Sequence, residues 1–272
     1  MLECKTLASG SAGNCVFFRS DGRDYLIDAG LSMRKLESLL RLCGSSLSQI
    51  RGIFFTHEHS DHTKALEMLL KHTDIPLFAT LPTAREIHSA FCLKNKSEQA
   101  SLFQQKARVI SPELCYPVGD LNLQPFSVPH DSAECVGYLL YDDNGEKHLG
   151  YAADMGHVTS AVTEALTGCH HLIIESNHDL QMLSESSYPA FLKERIHSDY
   201  GHLSNPDCAR LLCHLVANGT RNVTLFHLSR ENNLPELAYE TNYSALCQSG
   251  ARPLEDFTLE VAPVEGILEV IR

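Results

Sequence analysis

His57-Glu58-His59-Ser60-Asp61-His62 follows directly on the apolar run Ile53-Phe54-Phe55. That run reads as a buried strand over Gly52 to Phe55, ending at Thr56. Strand ends are where loops carry chemistry in layered α/β folds. If residues 57 to 61 stay extended, His57, His59 and Asp61 point to one side, because strand side chains alternate. A turn into a helix at His62 then swings that imidazole back toward the group. Two adjacent metal sites become possible, one on His57 and His59, the other on Asp61 and His62. Imidazole and carboxylate donors suit zinc, manganese or iron. The simpler readings are one metal site, or a polar loop with Asp61 as a helix cap. Three imidazoles and a carboxylate within six residues argue against the loop.

Outward from this hexad, strands and helices alternate. Leu2 to Ala8 reads as a strand, Ser9 to Asn14 as a turn of small residues, and Val16 to Arg19 with Tyr25 to Ile27 as a hairpin around Asp21-Gly22. Helices are predicted over Leu31 to Cys43, Thr63 to Lys71 and Pro82 to Phe91, with a strand at Ile75 to Ala79. The second half repeats the rhythm. Strands at Leu121 to Val128, Val136 to Tyr141 and His148 to Ala152 precede a helix over Val158 to Leu166 and an apolar strand, His171 to Glu175. Helices over 187–197, 205–217 and Glu236 to Gln248 enclose a strand at Asn222 to Phe226, and strands at Thr258 to Val261 and Ile267 to Ile271 end the chain. The pattern predicts an α/β fold of sheets with helices on their outer faces, a four-layer αββα sandwich, in one domain spanning residues 1–272. Segment 178–206 is the least regular and reads as a substrate-facing insertion or lid.

The chain has 272 residues and a formal charge of −12, which argues against a broadly basic nucleic-acid-coating surface. No stretch reaches the roughly 20 apolar residues of a membrane span, and the first residues do not read as a secretory signal, so the expected location is the cytoplasm. Ten cysteines are scattered without a Cys-x-x-Cys pair and read as free, mostly buried thiols.

His-x-His-x-Asp-His resembles the signature of the metallo-β-lactamase superfamily. Four further motifs in order match that pattern: Leu26-Ile27-Asp28-Ala29-Gly30, Ser127-Val128-Pro129-His130-Asp131, Tyr151-Ala152-Ala153-Asp154-Met155-Gly156 and Leu225-Phe226-His227-Leu228-Ser229. The resemblance implies that His57, His59 and His130 bind a first metal and that Asp61, His62 and His227 bind a second. It also implies that Asp154 bridges both, and that Asp28 fixes a ligand imidazole. Ser9-Gly10-Ser11, Gly13-Asn14, Glu175-Ser176-Asn177-His178-Asp179, Gly201-His202-Leu203-Ser204-Asn205 and His227-Leu228-Ser229-Arg230-Glu231-Asn232 look like the bacterial YycJ/WalJ branch. That branch implies metal-dependent phosphodiester hydrolysis, foremost as a DNA exonuclease. Small cyclic phosphodiester hydrolysis is the alternative, with RNA processing or glyoxalase-like thioester hydrolysis behind it.

Two divalent ions would clamp a phosphodiester and activate hydroxide. Asp61 is then a candidate to orient the nucleophile. His178 and His202 are the candidates to protonate the leaving alkoxide. Ser11, Asn14, Asn177 and Arg230 are candidates for substrate or phosphate binding, with Lys193 and Arg195 as further cations. Each of the three cations is more often a solvated surface charge than a ligand. Read alone, the loop Ser9 to Asn14 is a simple tight turn; with the resemblance, Asn14 is expected to face the active site.

Overall fold

The computed structural model describes residues 2–112 and 114–271. The elements run β1 (Leu2–Ala8), β2 (Cys15–Ser20), β3 (Arg23–Ile27), α1 (Met33–Leu42), β4 (Ile50–Phe54), α2 (Ser60–Thr63), α3 (Leu66–His72), β5 (Leu77–Thr80), α4 (Leu81–Leu93), α5 (Ser97–Lys106) and β6 (Ala107–Ile110). There follow β7 (Tyr116–Val118), β8 (Leu121–Val128), β9 (Cys135–Tyr141), β10 (Lys147–Ala152), α6 (Ser160–Leu166), β11 (His171–Glu175), α7 (Leu180–Glu185) and α8 (Ala190–Ile196). The chain ends with α9 (Asn205–Ala217), β12 (Asn222–Phe226), α10 (Pro235–Gln248), β13 (Thr258–Val261) and β14 (Glu265–Ile271). Two mixed sheets of seven strands result, in the orders β14-β1-β2-β3-β4-β5-β6 and β13-β12-β11-β10-β9-β8-β7.

Two compact units divide the chain. The first holds Met1–Asp120, Ser132–Cys135 and Pro263–Arg272, and the second holds Leu121–Asp131 and Val136–Ala262. In the first, β2 and β3 form the expected hairpin. Asp21 and Gly22 both adopt positive φ, 49° and 69°, which the tight turn demands. From β3 the sheet continues parallel through β4, β5 and β6. Parallel strands need crossover connections, and α1, α3, α4 and α5 occur in them. Leu36, Leu39 and Leu40 form the buried stripe of α1, in one core with Leu26, Ile53, Phe55, Leu66, Leu69 and Leu77. In the second unit β10, β11, β12 and β13 run parallel, with β9 antiparallel to β10. Leu172, Ile173, Ile174, Leu225 and Phe226 are fully buried there.

The predicted helix over Thr63 to Lys71 is two helices, the single turn α2 and then α3. The chain turns at His59, whose carbonyl accepts the His62 and Thr63 N–H groups. The extended segment therefore stops at His59, and Asp61 projects from a helical turn. Helix α5 and strands β6 and β7 had no counterpart in the sequence reading. Segment 178–206 holds two short helices, α7 and α8. All ten cysteines are free thiols. No described helix is long and apolar enough to cross a membrane.

Candidate metal centre

Asp28, Asp154 and His227 share one backbone feature: each stands just past the end of a strand with positive φ, 59°, 54° and 57°. Non-glycine residues adopt that region rarely and at a cost, and such outliers cluster at functional sites. The parallel strands β3, β4, β10 and β12 thus deliver Asp28, His57, Asp154 and His227 at their carboxyl ends, where open α/β sheets bind ligands.

In the first unit Asp28 is the organising group. It is fully buried, and its carboxylate accepts from the Thr56 N–H at 2.8 Å, the Thr56 hydroxyl and His62 Nδ1 at 2.7 Å. Burial pushes the Asp28 carboxyl up, opposed by the neighbouring His62 and by the Thr56 donors. The Thr56 hydroxyl donates to Asp28, so it accepts from His57 Nδ1 at 3.0 Å. The His57 ring centroid lies 4.6 Å from that of His59 and 4.2 Å from that of His62. Asn14 is fully buried. Its oxygen accepts the Gly10 N–H, and its Nδ2 lies 2.9 Å from His62 Nε2 and 3.4 Å from an Asp61 oxygen. Asn14 therefore holds the loop and an imidazole from beneath, whereas Ser11 is exposed and shares a groove with His59 and Asp61. Gly30 lets these pieces meet, because a Cβ there would collide with the Asp61 carbonyl and the Asn14 nitrogen.

In the second unit Asp154, Glu175, His202 and His227 each place a ligand-type atom within 4.8 Å of the others. Asp154 Oδ1 lies 3.5 Å from His227 Nδ1, 3.6 Å from His202 Nδ1 and 3.8 Å from His130 Nε2. Glu175, which the sequence reading left without a role, is the counterpart of Asp28. It is fully buried and accepts from His202 Nδ1 at 2.8 Å, His227 Nδ1 at 2.9 Å, and the N–H groups of Met155 and Leu203. Burial alone would push its carboxyl up, but the two imidazoles hold it well below the usual carboxylate range. Its only signal in the sequence is a carboxylate closing an apolar strand.

These contacts fix tautomers. A carboxylate or carbonyl oxygen only accepts, so an imidazole nitrogen facing one must carry the hydrogen. His62 meets Asp28, His202 and His227 meet Glu175, and His130 Nδ1 meets the Gly201 carbonyl at 3.0 Å. With His57 on Thr56, five buried or half-buried imidazoles present Nε2 as the lone-pair nitrogen. This is how metal-ligating histidines are held, and the donor set fits a divalent metal.

The other candidates fall in different surroundings. Asn177 is buried, and its amide donates to the His227 carbonyl at 2.8 Å, so it supports the turn that carries His227. His202 keeps 17% side-chain exposure. Ser204 caps α9 by accepting the Asp207 N–H, and Asp207 lies in the first turn. An acid already occupies the anion-favouring end of that helix, which weakens the expected phosphate entry there. Arg195 is paired with Asp131, Lys193 donates to the Ser184 carbonyl, and Arg230 is exposed.

His178 is fully buried, neither ring nitrogen has a hydrogen-bond partner among the described residues, and burial pushes its pKa down to about 4. At neutral pH it holds no imidazolium proton to give. An unfolded histidine titrates near 6.5, so the unfolded chain takes up this proton first as pH falls. The stability due to neutral burial is complete above about 6.5 and is lost progressively down to about 4. In chelator, the fall in unfolding free energy between pH 7 and 5 should be about 2 kcal/mol smaller in His178→Leu than in the wild type. Equal falls in urea titrations would refute this.

Comparison with known proteins identifies the family. The model of the β-lactamase superfamily domain matches residues 23–228. The chain is 33% identical to exodeoxyribonuclease YycJ of Bacillus anthracis, over 87% of this chain and 86% of that one. It is 34% identical to exodeoxyribonuclease WalJ of Streptococcus pneumoniae, over 89% and 87%. The metallo-β-lactamase fold protein YhfI of Bacillus subtilis superposes with a TM-score of 0.67 at 15% identity, covering 98% of this chain and 99% of that one, a likeness that shows the fold. The chain has the α/β metallo-β-lactamase fold and belongs to the metallo-β-lactamase superfamily.

Proposed function

We propose that this metal-dependent hydrolase is a DNA exonuclease that holds two divalent ions, zinc, manganese or iron. The observation that carries the chemistry is the set of five imidazoles locked with Nε2 as the lone-pair nitrogen. The two relatives named exodeoxyribonucleases, similar over most of their length, support the nucleic-acid substrate and DNA over RNA. The ligand roles follow the family motif: His57, His59 and His130 for one ion, Asp61, His62 and His227 for the other, and Asp154 for both. We take the two units to work as one metallo-β-lactamase-type domain, since the family model runs through both. The cytoplasm, where DNA is the substrate, is the proposed location.

When bound, the ions supply positive charge against the phosphoryl oxygens and lower the pKa of water. The chain's own groups do the rest. Asp28 and Glu175 keep the imidazoles in one tautomer and one orientation. Asp61, half-buried on its helical turn, orients the attacking water. His202, with Nδ1 tied to Glu175, presents the Nε2 lone pair, so it takes up a proton there from solvent before passing it to the leaving alkoxide. Its partial exposure favours it over the buried His178.

The test is to offer manganese- or zinc-loaded protein linear duplex DNA, single strands, RNA and bis-p-nitrophenyl phosphate. Mononucleotide release from DNA ends is expected. Hydrolysis of the chromogenic diester with no attack on nucleic acid would move the reading to a small-molecule phosphodiesterase. Cleavage of a thioester alone would remove phosphoryl chemistry altogether.

A further inference from the structure

A charge of −12 leaves a polyanion with little reason to approach this chain. One groove in the first unit is an exception. It measures about 620 Å³, and His59, Asp61 and Ser11 are among the residues that line it. Ile87, Ala90 and Phe91 of α4 give it an apolar floor, and Lys64, Lys94 and Lys96 stand along it.

In formal count the groove's three lysines and three carboxylates cancel, and what favours an anion is which of them are engaged elsewhere. The groove's carboxylates are Glu58, Asp61 and Glu67. Glu67 is engaged by Lys71 and by Lys96. Glu58 accepts the Ala133 N–H, and Asp61 is assigned to the metal centre. Lys64 reaches only the Ala12 carbonyl, at 3.5 Å, and Lys94 has no ion pair among the described residues. Both are exposed. Two ammonium groups without an ion pair therefore share the groove with apolar side chains and with candidate metal ligands. The histidine-lined pocket of the second unit, about 550 Å³, matches phosphate less well: it sets one guanidinium, Arg210, against Asp199 and Asp207.

We propose that this groove receives a single-stranded DNA segment next to the scissile bond, with Lys64 and Lys94 on backbone phosphates and a base against Ile87, Ala90 and Phe91. The mixture is that of single-strand binding sites, where cations track the backbone and apolar or aromatic groups take the base faces. On this proposal a duplex end must fray to enter the groove. This inference rests on the nuclease reading and specifies the form of DNA that occupies the site.

The test uses metal-loaded protein and a fluorescein-labelled phosphorothioate single strand, which resists hydrolysis. The dissociation constant is measured by anisotropy against salt. Each phosphate contact to a single strand contributes a slope of about 0.7 in log–log form. Lys64→Ala/Lys94→Ala should lower the slope by about 1.4 and weaken binding at least about tenfold at low salt. On ordinary single strands KM should rise by a similar factor and kcat should change far less. Lys64→Arg/Lys94→Arg should keep the wild-type slope. If the wild type binds and the alanine pair retains its slope and affinity, or the arginine pair loses them, the groove assignment falls alone. If the wild type binds no strand yet degrades duplex ends, this inference falls and the nuclease reading stands. If it binds no strand and attacks no nucleic acid, the nuclease reading falls and takes this inference with it.

Discussion

Asp154→Asn is expected to lose at least three orders of magnitude in kcat/KM, about 4 kcal/mol of transition-state stabilisation, together with most of its bound metal. The substitution keeps the volume and the backbone, because asparagine tolerates the left-handed conformation that residue 154 adopts at φ 54°. What it removes is one negative charge, 2% exposed, within 4 Å of His130, His202 and His227 nitrogens. In a metal-free protein such a buried charge is a burden, since desolvation is large and neutral imidazoles return little. The metal-free variant should therefore unfold at the same temperature as metal-free wild type, or higher. Metal analysis, kinetics and thermal unfolding in chelator separate the roles. Two metals retained per chain would contradict Asp154 as a shared ligand. Loss of apo stability would make it a structural carboxylate instead. Asp154→Ala is the less clean variant, because alanine adds backbone strain of about 1 kcal/mol at positive φ.

The residues most legible in the sequence are those whose chemistry is local. His57 to His62 announce a metal site because six consecutive positions concentrate the donors, and Asp28, His130, Asp154 and His227 each follow an apolar run that ends a strand. The strand Asn222–Phe226, the helix Asn205–Ala217 and the strand Thr258–Val261 fall where periodicity places them. The break between α2 and α3 was not legible, because a four-residue helix has too few positions to show a period. Nor does a sequence give burial. Asn14, Asn177 and His178 lie in motifs beside the centre, yet all three are interior: two serve as supports, and the third is a neutral core imidazole.

Glu175 is the clearest case of what sequence withholds, since its partners lie 20, 27, 28 and 52 residues away. It closes β11 as one polar residue after four less polar ones, and nothing local distinguishes a surface acid from a buried clamp. Its environment makes a demanding prediction. Oε1 accepts from His202 and His227, and Oε2 from the Met155 and Leu203 N–H groups, so all four neighbours are donors. A glutamine has the same shape but presents an amide NH2 on one side. With its NH2 toward the Met155 and Leu203 N–H groups, two donors would face two donors at full burial. Turned toward His202 and His227, the NH2 drives both rings to the tautomer with the hydrogen on Nε2. Leaving buried donors unmatched costs about 1–3 kcal/mol each. Glu175→Gln should therefore turn its NH2 to the imidazoles and lose about 1–3 kcal/mol, less than Glu175→Ala, which leaves all four donors unmatched. Both should bind metal about 10–100-fold more weakly, because His227 loses the acceptor that sets its tautomer and orientation. Glu175→Asp keeps an acceptor-only group on a shorter stem and should recover part of the stability. Urea unfolding and metal titration of the three variants decide the matter. A stable Glu175→Gln with wild-type metal affinity would show that the carboxylate fills space beside the two histidines without holding them.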